Sequence, residues 1–183
     1  EHVNVDNWMQ NLKNGDRLAL EAYENKMFTV HENVKGNSRS EFLDTYSVGL
    51  EGRKINHSEM VAEGLGLFNK IWGFKSQTMI APTYVWDDEI EKEAFKHNVR
   101  WMQGSYVQRV PMEGSSQISK KRHFLGQRNK TGMRYLIRNV VFEPASNSKT
   151  DWVSEAMTEI GIAFTMRKPA IISSHRVNYI GGL

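Results

Sequence analysis

The residue with the most chemistry around it is His175. It stands in the run "AIISSHRVN", where Ala170, Ile171 and Ile172 read as a short buried strand that ends in Ser173, Ser174, His175, Arg176 and Asn178. An imidazole gives and takes protons near neutral pH, and an Arg beside it holds an anion or lowers the His pKa. Parallel strands of α/β proteins deliver their reacting groups at their carboxyl ends, which is where this His falls. The plain alternative is a structural His closing the sheet. Ser173 and Ser174 lack the G-x-S-x-G elbow that would make either a nucleophile. His57 and His97 fall at predicted helix ends, the usual place for solvated caps and dipole partners. His123 lies among basic residues and reads as part of their surface. His2 has ligand chemistry, but metal sites draw on three or four protein groups, and the other half of a His pair would precede Glu1.

Composition narrows the chemistry further. The chain has 183 residues, 39% hydrophobic and 25% charged, which suits one globular domain spanning residues 1–183. It contains no cysteine, so disulfides, Cys-ligated zinc, iron–sulfur clusters and thiol catalysis are excluded. Any metal must be held by His, Asp or Glu. No apolar run approaches the roughly 18 residues of a membrane span. The net charge of +3 is local: Lys120, Lys121, Arg122, Arg128, Lys130, Arg134 and Arg138 lie between Gln117 and Arg138 with no acid among them. Without those seven, 17 basic residues face 21 acids. Such a segment attracts the phosphates of nucleic acid or another acidic polymer, although a solvated hairpin is the commoner meaning of a charge run. Phe124 and Tyr135, its only aromatics, are too few and too far apart for a base-stacking platform.

The elements that must position His175 alternate between helix and strand. Asn4 or Asp6 caps a first helix through Trp8, Met9 and Leu12 that stops near Asn14-Gly15, and Asp16 starts a second. "MFTV" reads as a strand, and residues 33–57 as a long surface loop. Ser58 and Glu59 open a helix with Met60, Leu65, Phe68, Ile71 and Trp72 near one face and Gly73 as its stop. "QTMIAP" is a strand, "WDDEIEKEAFKHN" a helix with acids in its first turn, and "VRWMQG" a strand. "MRYLIRNVVFEP" is the longest strand candidate, and "RHFLGQ" is placed against it as a hairpin turned at Lys130-Thr131-Gly132. A last helix from Asp151 leads through Pro169 into "AIIS". This order predicts an α/β fold with a mostly parallel sheet, because parallel neighbours need crossovers. It also predicts one β-hairpin insertion and a partial or distorted (β/α) barrel, a full eight-fold barrel requiring roughly 250 residues.

Three segments carry a resemblance. "MIAPTYVWDDEIEKEAFKHNVRWMQG" resembles the third motif region of the polysaccharide deacetylase superfamily of carbohydrate esterases, and "TDWVSEAMTEIGIAFTMRKPAIISSH" is similar to that family's final third, where a last strand delivers a His. "EHVN" matches the second His of its His-x-x-x-His metal motif, and the three segments follow the family's order. The resemblance implies a distorted barrel that deacetylates N- or O-acetylated polysaccharide with a divalent metal, zinc by preference. By position, His2 would be a metal ligand, His175 the acid and Asp151 a second catalytic residue. Pro82, Tyr84, Trp86, Trp152 and Arg176 would contact the sugar.

The departures are equally specific. The family's early Asp-Asp motif and the first His of the pair have no counterpart before His2, so the resemblance implies a domain without its N-terminal strands. Ile80 stands where the third motif has Arg. Glu143 in "NVVFEPASN" offers a replacement acid, against the plain reading of a solvated strand end. The expected partner is thus a polysaccharide or oligosaccharide. One alternative is a non-catalytic carbohydrate-binding relative; nucleic-acid binding through residues 117–138 ranks last. The lack of cysteine and a carbohydrate role are compatible with an extracytoplasmic bacterial protein.

Overall fold

A computed structural model describes residues 5–26, 45–46, 56–112 and 118–180. His2, the predicted strand "MFTV" and most of the predicted surface loop lie outside them. Near the amino end, α1 (Val5–Lys13) and α2 (Arg17–Glu24) form a helical pair, with Trp8 and Leu12 packed against buried Ala19 and Ala22. Asp16 caps α2 by accepting from the Ala19 amide.

The parallel sheet begins where α3 (His57–Trp72) stops. Asn56 caps α3 through the Glu59 amide, and Gly73 ends it in the left-handed region, φ 74°, where only glycine sits without strain. The chain reverses into β1 (Thr78–Ile80), makes a 3₁₀ turn at Pro82–Tyr84, and crosses through α4 (Asp88–Lys96) to β2 (Trp101–Gly104). α4 starts where the sequence requires it: Asp87 accepts from the Glu89 and Ile90 amides, and Asp88, Glu89 and Glu91 oppose the dipole in the first turn.

β1 and β2 pair in parallel, and β2 pairs in parallel with β5 (Arg134–Ile137), giving the order β1-β2-β5. Between β2 and β5 the antiparallel ribbon of β3 (Val107–Pro111) and β4 (Ile118–Arg122) is inserted. A second crossover follows, β6 (Val140–Val141), α5 (Trp152–Thr165) and β7 (Ile172–Ser173), with β6 and β7 again parallel. The fold is therefore mixed α/β with mostly parallel strand pairing. Among the described residues the strands form three separate small sheets and no closed barrel. Nor is any described helix long and apolar enough to cross a membrane.

The core lies on the helix-covered face of the main sheet. Met102, Tyr135 and Ile137 alternate inward along β2 and β5, and cluster with Ile90 and Ala94 of α4 and Val61 of α3. The opposite face of β1 is open: Thr78 and Ile80 are exposed.

Two expectations are corrected. The inserted hairpin is β3–β4, not "RHFLGQ" against the following strand. Gly126 and Gln127 do run antiparallel beside Tyr135, exchanging backbone hydrogen bonds with it, but the pairing extends to an isolated bridge at Arg128 and Arg134 rather than a ladder. The predicted long strand is also broken. Arg138 still donates its amide to Gly104 in the main sheet, whereas Asn139 turns to the final crossover, its amide donating to the Ile171 carbonyl and its Oδ1 accepting from the Ile171 amide. One segment thus supplies strands to two sheets.

Candidate functional site

Strands that run in parallel end at one edge, and the polar groups of this chain collect there. Tyr84 follows β1, Arg138 immediately follows β5, Glu143 follows β6 and His175 follows β7. His175 Nδ1 lies 2.7 Å from Glu143 Oε1, while the His side chain is 77% exposed and that of Glu143 only 15%. Asn178 Nδ2 donates to Glu143 Oε2 at 2.8 Å and to Ser174 Oγ at 3.0 Å, closing the cluster from the 3₁₀ turn Arg176–Asn178. Partial burial pushes the Glu143 carboxyl up, yet the hydrogen bonds from Asn178 and His175 together hold it below the usual carboxylate range. An ionised Glu143 only accepts, so the shared proton sits on His175 Nδ1 and Nε2 faces solvent. The pair can therefore transfer protons through Nε2 while the carboxylate fixes the tautomer and stabilises the imidazolium.

Arg138 connects this pair to the main sheet. Its Nη2 donates to the Tyr84 hydroxyl, and its Cζ lies 5.4 Å from the Tyr84 ring centroid. The guanidinium is half-buried; burial lowers its pKa, and the nearby Glu143 carboxylate opposes that change.

The residues expected at the site divide. Pro82 and Tyr84 are half-buried in the turn after β1, and Arg176 is exposed next to His175. Trp86 does not line a groove: it is 1% exposed, and its indole N–H donates to Glu91 Oε1 at 2.9 Å. An aromatic following a strand turned inward here because a buried carboxylate awaited its N–H. Asp151 does not meet His175. It caps α5, with Oδ1 accepting from the Ser154 amide and Oδ2 from the Ser154 hydroxyl, and these bonds hold its pKa low. Trp152 beside it donates to the Asn147 carbonyl. The carboxylate that reaches His175 is Glu143.

His123 is likewise not a surface group. It is 4% exposed and stacks on Tyr135 with centroids 3.7 Å apart. Gln108 Nε2 donates to the Trp86 carbonyl, so its Oε1 accepts from His123 Nε2 at 2.6 Å. Among the described residues no group hydrogen-bonds to the buried His123 Nδ1. Burial, followed by the charge of Lys121, lowers the His123 pKa, outweighing the opposing influence of Glu91 and Asp88. Next to it Glu91, 3% exposed, accepts from Trp86, from the Tyr135 hydroxyl at 2.6 Å and, through Oε2, from Asn129 at 2.7 Å. Neither the sequence position of Glu91 in an amphipathic helix nor the basic run around His123 signals this burial.

Part of the basic segment is also engaged. Lys121 and Lys130 both pair with Asp88, at 3.4 and 2.9 Å, and Arg134 donates to the Gly126 carbonyl. A groove of about 670 Å³ runs beside the outer edge of β1, lined by Leu65, Phe68, Phe74, Met79 and Ile80 among others. Lys75 is the one ionisable residue among the described lining residues, and neither His175 nor Glu143 is among them, so the groove and the proton-transfer chemistry are in different places. Among the described residues no three His, Asp or Glu side chains converge as a metal site would require. The described residues thus do not make up a metal centre. No family model, curated protein or solved structure matches the chain.

Proposed function

We propose that the chain is a carbohydrate-active hydrolase domain of the polysaccharide deacetylase kind, a partial β/α barrel whose strand-end rim removes acetyl groups from N- or O-acetylated polysaccharide. The observation that carries this reading is the contact of exposed His175 with sheltered Glu143 at the carboxyl ends of two parallel strands. In the reaction a water adds to the acetyl carbon and gives up a proton to solvent, and as the bond from that carbon to the departing nitrogen or oxygen breaks, His175, protonated on both nitrogens, gives its Nε2 proton to the leaving atom. Glu143 accepts the hydrogen bond from Nδ1–H throughout, and its carboxylate offsets the imidazolium charge before the transfer. Half-buried Tyr84 offers a ring edge to a sugar, and Arg176 a cation beside the acid. The resemblance also implies a divalent metal, zinc by preference, with His2, which lies outside the described residues, as one ligand; among the described residues no three His, Asp or Glu side chains converge to hold it.

The test is acetate release from acetylated chitooligosaccharide and acetylated xylan, with and without added zinc. His175→Ala lowers the rate about 10²- to 10⁴-fold, the range of a general acid, and Glu143→Gln lowers it less. A folded His175→Ala variant with wild-type rate overturns the assignment. Oligosaccharide binding without acetate release, zinc present, identifies instead the non-catalytic carbohydrate-binding relative.

A further inference from the structure

Arg138 is a cation prepared for something that the described protein does not supply. It is half-buried, and burial disfavours its charge, yet no carboxylate lies within ion-pair distance of it among the described residues. A buried charge is ordinarily paired, and among the described residues the one side chain that hydrogen-bonds to this one is the neutral Tyr84 hydroxyl. The approach of Tyr84 is itself constrained. Thr83 and Tyr84 hold φ of 52° and 62°, consecutive non-glycine residues in the left-handed region, where strain is kept only if the surroundings impose it. Gly104 beneath them makes room: a Cβ there would stand 3.3 Å from the Trp86 ring and 3.9 Å from that of Tyr84. The turn is thus held so that the Tyr84 hydroxyl orients one edge of the guanidinium, leaving the rest of its donor fork uncommitted among the described residues.

We propose that Arg138, oriented by Tyr84, is a carboxylate-binding subsite beside the Glu143–His175 pair, serving either an acidic sugar of the polysaccharide or the acetate released from it. A planar carboxylate matches the guanidinium fork. The nearby Glu143 selects against more highly charged groups, since a dianion such as a phosphate monoester is repelled more strongly than a monoanion. The inference rests on the reading of this rim as a saccharide site and adds the charge of what is bound.

The test compares an oligogalacturonate with its methyl ester, identical sugars differing in charge, by calorimetry on the wild-type protein. The acid binds more tightly, and Arg138→Gln removes about ten- to hundred-fold of its affinity while leaving the ester unchanged, the range for a charge-assisted hydrogen bond. Arg138→Lys, a point charge without the fork, recovers part of the loss. Acetate that competes with the acid as strongly as free galacturonate does assigns the subsite to the released product; acetate that competes poorly assigns it to the acidic sugar. Equal wild-type affinity for acid and ester with no binding of acetate overturns the proposal, a result that depends on no variant folding. Acetate release that is indifferent to Arg138→Gln and to backbone charge overturns it while the hydrolase reading stands. Carboxylate preference without acetate release does the reverse.

Discussion

Removing Glu91 tests whether the buried polar network, rather than apolar packing alone, holds the helix-covered face of the sheet together. Glu91 accepts three hydrogen bonds at 2.9, 2.6 and 2.7 Å, from Trp86, Tyr135 and Asn129. In Glu91→Ala all three donors lose their acceptor, and two of them belong to residues at most 2% exposed. Each orphaned buried donor costs about 1–3 kcal/mol, and with partial relaxation the total is about 3–6 kcal/mol. That is a large share of the 5–15 kcal/mol by which a domain is usually stable. Glu91→Gln keeps shape and the acceptor oxygen, but its amide nitrogen confronts a donor, so it loses only about 1–3 kcal/mol. Urea unfolding followed by far-UV circular dichroism reads the difference: with a slope near 2 kcal/mol per M, the Ala midpoint falls by roughly 1.5–3 M and the Gln midpoint by less. An Ala variant with a midpoint within about 0.3 M of wild type, on the same slope, refutes the reasoning, because three buried donors would then have found partners at no cost.

Two further outcomes follow from the same region. His123 has a lowered pKa in the fold, so the unfolded chain binds more protons than the native one and stability rises with pH; its contribution is lost as pH falls below the unfolded value of 6.5. His57, lowered chiefly by burial, acts with the same sign. Thermal unfolding measured from pH 5 to 7 shows a rising midpoint that flattens in part in a folded His123→Gln variant, and a wild-type profile that falls with pH refutes the assignment. Gly104→Ala places a methyl 3.3 Å from a Trp86 ring that is pinned by Glu91. The ring cannot retreat, so the substitution costs about 1–3 kcal/mol; an unchanged unfolding midpoint shows that it can.

How far the sequence reveals this molecule depends on the range of the interaction concerned. Asp87 and the acids after it announce α4 because a cap and a dipole act within one turn, and Gly73 announces the end of α3 for the same reason. The direction of the strands was legible as well, since crossover helices make neighbours parallel and gather their ends at one edge. That is why His175 could be singled out before any fold was known. Its partner was less legible: Glu143, 32 residues away, stands in the sequence only as a replacement acid behind Asp151, but the local attraction of the Ser154 amide and hydroxyl committed Asp151 to capping. The Glu91–Tyr135 bond spans 44 residues and turned Trp86 and His123 inward against every local cue. Local propensities therefore placed the strand ends, while burial selected which side chain occupied each. The same selection left Arg138 half-buried at the rim, its Nη2 on the Tyr84 hydroxyl and no carboxylate within ion-pair distance among the described residues, whereas the buried Glu91 carboxylate next door in the core is satisfied by three donors.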